Sequence, residues 1–276
     1  VKRFDNCLIL EIKYSKIKNK LDFSIFKKFE ECGTKYLRGG RLQEYIFKEK
    51  KGILITTSDL QKDLPDNRPQ EDKSIYGKTI FIDYDTKNHL IFSKGHRNAQ
   101  GLFVKGDKIF STEHGPSGGD EINFLEFNIN DDAIANYGWP IASYGRHYFD
   151  NDNDKDKRYE LSPLKKSHSK NGFIEPIKYF DPSVGISQII GVPNKFFKSK
   201  NNKFLVGTMG NAKKFNEGMI SLFFFEFDKI KKKIIKSEFI PIKSRVRDMI
   251  YVENENIVLL YLENSNALAV LKAKNN

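Results

Sequence analysis

Apolar residues along this chain come in short runs that turn-forming residues interrupt about every ten positions, the rhythm of an all-β protein. Candidate strands cover residues 7–12, 52–57, 79–84, 101–104, 108–112, 122–127, 203–208, 219–227, 234–242, 246–252, 257–261 and 267–272. Apolar and polar positions alternate in Lys78-Thr79-Ile80-Phe81-Ile82-Asp83 and in Leu222-Phe223-Phe224-Phe225-Glu226-Phe227. Side chains that alternate between two faces predict twisted antiparallel sheets. Helical periodicity is almost absent.

Two stretches break the rhythm, at residues 60–74 and 146–171, and both read as long surface loops. The second holds Asp150-Asn151-Asp152-Asn153-Asp154, which resembles a calcium loop in composition only. It lacks the glycine and the glutamate that an EF-hand places at its sixth and twelfth positions. At 276 residues the chain can bury a large core, and residues 1–276 read as one domain. No apolar stretch approaches the roughly 18 residues a membrane-spanning helix needs.

The net charge of +11 comes largely from lysines scattered along the chain. A basic surface can serve polyanions, but no patch interleaves arginine with exposed aromatics, so nucleic acid is not an expected partner. Cys7 and Cys32 could pair in an oxidising compartment or remain as two buried thiols. The first residue is Val1, without the basic-then-apolar pattern of a signal peptide.

Packing does not explain three blocks between residues 95 and 145: Gly95-His96-Arg97-Asn98-Ala99-Gln100-Gly101, then Glu113-His114-Gly115-Pro116-Ser117-Gly118-Gly119-Asp120-Glu121-Ile122-Asn123, then Asn136-Tyr137-Gly138-Trp139-Pro140. Glycines let backbone approach a ligand closely, while the neighbouring Arg, Asn, Glu and Asp supply donors and hard oxygen ligands. The segment reads as a site.

In this order, and continued by Ser143-Tyr144-Gly145, the blocks resemble the soluble quinoprotein glucose/sorbosone dehydrogenases, the PQQ-dependent aldose sugar dehydrogenases. The resemblance extends to Gly39-Gly40-Arg41-Leu42, Pro182-Ser183-Val184-Gly185-Ile186-Ser187 and Arg245-Val246-Arg247-Asp248. It implies a six-bladed β-propeller, here lacking part of its N-terminal blades, in a periplasmic or secreted protein. It also implies PQQ and calcium as cofactors and a small-molecule sugar as substrate. The electron acceptor is not specified.

PQQ carries three carboxylates, and guanidinium forks bind carboxylates in bidentate fashion. By the family's motif Arg97 and Asn98 line one side of the cofactor, and Arg245 and Arg247 close the other. The carbonyls of Gly115 and Pro116 would hold the calcium beside the quinone. Glu121 and the carbonyl of Tyr137 would hold a second, structural calcium.

The main departure concerns the general base. A histidine is expected two residues before Gly39-Gly40, and Leu37 stands there. The histidines present are His89, His96, His114, His147 and His168, of which His96 and His114 lie within the motifs. Asp181 replaces an expected tryptophan, and the lysine expected after residues 205–208 has no clear counterpart. The principal expectation is an active sugar oxidoreductase using another base. The alternative is a catalytically silent propeller that binds a glycan or a protein partner. A polyanion-binding propeller rests on charge alone.

Overall fold

The computed structural model describes residues 2–4, 7–17, 21–33, 39–59, 67–127, 133–148, 160–197, 201–210 and 218–273. Two hairpins open the chain, β1 (Lys2–Phe4) with β2 (Cys7–Ile9) and β3 (Glu11–Ile17) with β4 (Leu21–Lys28). A meander of β5 (Gly39–Phe47), β6 (Lys50–Thr57), β7 (Lys78–Asp83) and β8 (His89–Lys94) follows. The next sheet contains β9 (Ala99–Lys105), β10 (Lys108–Glu113) and β11 (Asp120–Phe124). Between them in sequence and the sheet's outer strand, β13 (Lys178–Phe180), the short β12 (Ala135–Asn136) crosses back to pair with β8 in parallel.

A fourth unit joins β14 (Ile186–Val192), β15 (Asn202–Thr208), β16 (Ser221–Asp228) and β17 (Lys233–Pro241), and a fifth joins β18 (Val246–Val252), β19 (Ile257–Leu262) and β20 (Ala267–Lys272). The first strands of these last four units, β5, β9, β14 and β18, stand side by side in that order. The fold is all-β, and its sheets succeed one another face to face as propeller blades do.

Apolar layers fill the spaces between successive sheets. Phe29, Ile55, Ile80 and Ile82 seal the second hairpin to the first meander, while Phe47, Phe81, Phe92, Leu102 and Ile109 seal that meander to the next sheet. β16 is apolar on both faces: Phe223, Phe225 and Phe227 pack toward β9–β11, and Leu222 and Phe224 pack toward β18 and β19. Its near-continuous apolar run therefore reflects burial on two sides, not an apolar-in, polar-out alternation.

The end faces remain apolar and exposed. They present Leu21, Phe23 and Ile25 (59, 64 and 55% exposed) on β4, and Ile250, Leu268 and Val270 (60, 75 and 52%) on β18 and β20.

The sequence pattern finds most of the longer strands to within a few residues, runs β2 into the start of β3, and misses β1, β4, β5, β8, β12, β13 and β14. β5 and β14 begin in motif segments whose glycines, Gly39, Gly40 and Gly185, all have positive φ. Such glycines read as turns until the paired strand is seen. Cys32 is disulfide-bonded, and the sequence contains one other cysteine, Cys7. Lys78 is wholly buried and donates to the carbonyls of Arg68 (2.6 Å), Pro69 (3.1 Å) and Tyr76 (2.8 Å), which clamps the connection before β7. Residues 150–154 lie outside the described residues.

Candidate active site

The three glycine-rich blocks meet at the ends of β9, β10 and β11. The turn after β10 is crowded with backbone oxygens: a Cβ on Gly115 would come within 2.2 Å of the Gly118 carbonyl and 2.3 Å of the Gly119 carbonyl. A Cβ on Gly118, where φ is +86°, would meet Asp181 Oδ1 at 2.3 Å. Only glycine fits at either position, and the crowding gathers carbonyls into one small volume.

Asp120, almost fully buried, fastens this turn to the chain entering β14. Its Oδ1 accepts from Gly115 N (3.2 Å) and Ser183 Oγ (2.9 Å), and its Oδ2 from Gly185 N (2.8 Å) and Ile186 N (3.1 Å). In the sequence Gly118-Gly119-Asp120 looks like an ordinary turn. A buried acid with four donors becomes visible only when the segment at 183–186 is brought alongside.

Arg97 leaves the strand entry with its guanidinium between two rings, 5.2 Å from the Trp139 ring and 5.8 Å from the Tyr148 ring. Its Nη1 donates to the carbonyls of His114 (2.9 Å) and Gly115 (2.6 Å), whereas its buried Nε has no acceptor. Trp139 Nε1 in turn donates to Asp59 Oδ2 at 2.9 Å.

Below Arg97, His96 is completely buried and stacked on Tyr137, with Nδ1 on Glu113 Oε1 at 2.6 Å and Nε2 on Ser93 Oγ at 2.7 Å. Burial pushes the Glu113 carboxyl up, but His96, Asn123 and the Arg97 N–H together outweigh it and hold it below the ordinary range. Glu121 shows the opposite balance: burial and the neighbouring Glu113 charge push its carboxyl well above the ordinary range.

His114 is only partly buried. Its Nε2 lies 2.5 Å from the Ile186 carbonyl, an acceptor only, so Nε2 carries the proton and Nδ1 keeps its lone pair. Burial lowers its basicity, and the charges of Arg97 and Arg247 lower it further against the opposing pull of Asp120. The ring is thus biased toward the neutral imidazole by burial and by two guanidinium groups, Arg97 and Arg247, that are far apart in sequence.

Asn98 Oδ1 accepts from Gln100 Nε2 (2.8 Å), the Gln100 carbonyl accepts from Arg41 Nε (2.6 Å), and Arg41 Nη1 pairs with Asp248 Oδ2 (2.8 Å). This chain of contacts links the start of β9 to the start of β18. It borders an open groove of about 760 Å³ lined in part by Arg41, Leu102, Gln188, Asp248 and Tyr261. Arg245 and Arg247 share one carboxylate, Glu263: Arg245 Nε reaches Oε2 at 2.7 Å, and Arg247 Nη2 reaches Oε1 at 2.5 Å. Arg245 also donates to the Met209 carbonyl at 3.1 Å. The sequence offers no signal for Glu263, which lies well downstream of the motif it supports.

Residues 7–270 match the sequence model of the glucose/sorbosone dehydrogenases. The chain belongs to that family. Among the relatives of this glucose/sorbosone dehydrogenase family member is the aldose sugar dehydrogenase YliI of Escherichia coli (strain K12), 28% identical over 160 residues. The matched stretch covers 57% of this chain and 36% of that protein, so the chain spans about a third of the relative.

In fold the chain is similar to the apo crystal structure of the soluble aldose sugar dehydrogenase from Escherichia coli. The TM-score is 0.71 at 19% identity, covering 94% of this chain and 72% of that one. The PQQ-bound aldose sugar dehydrogenase of Streptomyces coelicolor gives a TM-score of 0.59 at 16% identity, covering 90% of this chain and 62% of that one.

Against the family's motif, Leu37 lies outside the described residues. Asp181, in place of an aromatic, accepts from Arg146 Nη2 at 2.8 Å. Glu121 lies in β11, and the carbonyl of Tyr137 faces the ring of His168, whose Nε2 is 3.4 Å from Glu121 Oε1. No cluster of three or more His, Cys, Asp or Glu side chains arranged to hold a metal occurs among the described residues.

Proposed function

We propose that this family member is a PQQ-dependent oxidoreductase that oxidises a sugar or related hydroxyl compound, with calcium assisting the quinone. One observation carries the reading: the Arg97 guanidinium is held between Trp139 and Tyr148 with a buried Nε that lacks an acceptor. A planar cation kept in place with an unused donor suits a carboxylate of the cofactor, because an unpaired buried donor costs about 1–3 kcal/mol. The Gly115 carbonyl already accepts from a cation, Arg97 Nη1, so its position suits calcium once the guanidinium turns to the carboxylate.

When bound, PQQ supplies the two-electron acceptor and calcium the Lewis acid that polarises it. The chain's own part is to bind, orient and move a proton. Arg97 and Asn98 hold one side of the cofactor, and Arg245 and Arg247, aligned by Glu263, hold the other. Pro116 contributes a second carbonyl to the calcium. His114, neutral and with Nδ1 unprotonated, takes the proton of the substrate hydroxyl in the role for which Leu37 is unsuited.

The exposed apolar faces of β4 and of β18–β20 suit a closed ring of six blades in which further sheets cover them. The disulfide at Cys32 favours a periplasmic or secreted location. No helix among the described residues is long and apolar enough to cross a membrane.

The test is a titration of the apo-protein with PQQ and calcium, followed by absorbance on adding aldoses. Reduction of the quinone is the expected result. Binding without reduction under every aldose and acceptor tried would favour the silent propeller that Leu37 suggests. His114→Gln is expected to keep PQQ affinity and abolish reduction, whereas Leu37→His raises turnover by up to about 10²–10⁴ if no other base is in place.

A further inference from the structure

The second pair of expected calcium ligands, Glu121 and the Tyr137 carbonyl, converge on a side chain and not on a cavity. His168 is 1% exposed, and its Nε2 lies 3.4 Å from Glu121 Oε1. The carbonyls of Tyr137 and Ile174 face the same ring, outside ideal hydrogen-bond geometry, and neither ring nitrogen has a closer partner. An imidazole thus stands in the middle of one carboxylate and two carbonyls.

The ring is wedged there by its surroundings. Tyr144 stacks on it with centroids 5.3 Å apart and planes 11° from parallel, and Tyr179 stacks on the far side of Tyr144. The Tyr144 hydroxyl donates to Glu175 Oε2 at 2.8 Å, and Glu175 Oε1 accepts from Ser169 N at 2.9 Å. The His168 carbonyl accepts from Asn171 N (2.9 Å) and Phe173 N (3.0 Å), which closes a 3-10 turn at Ser169–Asn171. Ser167, just before it, holds φ at +60°. Backbone and stacking both direct the imidazole inward.

The donor set does not suit calcium. That ion takes six to eight oxygens at 2.3–2.6 Å, and a nitrogen ring fills the space those oxygens would surround. The further carboxylates around it are already taken, Glu113 by His96, Ser111 and Asn123, and Glu175 by the Tyr144 hydroxyl and Ser169 N.

We propose that His168 plugs this oxygen cage in place of the second calcium, so that the packing of β11 against residues 136–139 and 168–175 needs no metal. The proposal rests on the family reading of Glu121 and Tyr137 as calcium ligands. It is independent of whether PQQ binds at Arg97.

The experiment compares melting temperatures in calcium chloride and in EDTA, without PQQ, for the wild type, Glu121→Gln, His168→Gly and the double variant. The calcium response of the wild type is expected to equal that of Glu121→Gln, since any response then comes from the carbonyls of Gly115 and Pro116 alone. His168→Gly is expected to gain a response of roughly 5–10 °C at calcium about a hundredfold above its dissociation constant. The double variant is expected to lose that gain.

A wild-type calcium response that Glu121→Gln removes would overturn the proposal while leaving the quinone site untouched. A folded His168→Gly variant without added calcium response would also overturn it. If His168→Gly does not fold, the comparison of wild type with Glu121→Gln still decides. Failure of PQQ to bind in the titration above would count against the proposed function and not against the plug.

Discussion

Asp120→Ala tests whether the candidate site is held together by one carboxylate. The substitution removes the acceptor of three backbone N–H groups, those of Gly115, Gly185 and Ile186, and of the Ser183 hydroxyl. The hydroxyl can turn to another acceptor. The three amides cannot, and each unsatisfied buried donor costs about 1–3 kcal/mol, so the loss is at least about 3 kcal/mol. For a chain of this size that corresponds to roughly 6–12 °C in melting temperature.

Asp120→Asn separates hydrogen bonding from bulk. The amide can turn its oxygen to Gly185 N and Ile186 N and its nitrogen to Ser183 Oγ, which leaves only Gly115 N without an acceptor. Its loss is expected to be about a third of that of Asp120→Ala. Urea unfolding followed by the emission of Trp139, the chain's one tryptophan, measures both and reports on the site itself. Equal losses for the two variants, or a loss below about 1 kcal/mol for alanine, would refute the reasoning, because the amides would then have other acceptors.

Three further outcomes are expected. Arg97→Lys loses the planar fork and should weaken PQQ binding about 10- to 100-fold, read from quenching of Trp139; an unchanged dissociation constant would remove Arg97 from the cofactor site. Lys78→Met strands three carbonyls, two of them in buried contacts, and should cost about 2–3 kcal/mol in the same unfolding assay, whereas a neutral substitution would show that water replaces the ammonium. Burial pushes the Glu263 carboxyl up, but Arg245 and Arg247 outweigh it and hold the folded value below the ordinary 4.5. Its stabilisation is complete above pH 4.5 and fades as the pH falls through the lower folded value, so Glu263→Gln should flatten the acid limb of melting temperature against pH.

Much of the fold is legible because a strand buried on one side leaves a two-residue period in the chain. β20 alternates in burial in that way, whereas β15 and β16 are buried on both faces and show instead as unbroken apolar runs. β5 and β14 escape because they begin in motif segments where glycine and polar side chains replace the apolar pattern.

The site is legible as a set of residue types in order, not as geometry. Arg97, Asn98 and Gly115 stand out by their neighbours in sequence, but Asp120, Glu263 and His168 meet Ile186, Arg245 and Glu121, which lie 66, 18 and 47 residues away. No spacing rule signals contacts of that kind. The structure also separates the two motif histidines: His96 is committed to Ser93 and Glu113, whereas His114 keeps a nitrogen free.

Because each apolar layer is shared by two successive sheets, the molecule behaves as a row of coupled units in which stability depends on having neighbours on both sides. The sheet of β14–β17 has such neighbours, while the hairpin β3–β4 and the sheet β18–β20 have one each among the described residues. Amide hydrogen exchange should therefore be slowest in β15 and β16 and quicken toward both ends. Arg245 and Arg247 lie at the start of β18, in a sheet with one such neighbour among the described residues, so the ion pairs they make with Glu263 should loosen with that sheet.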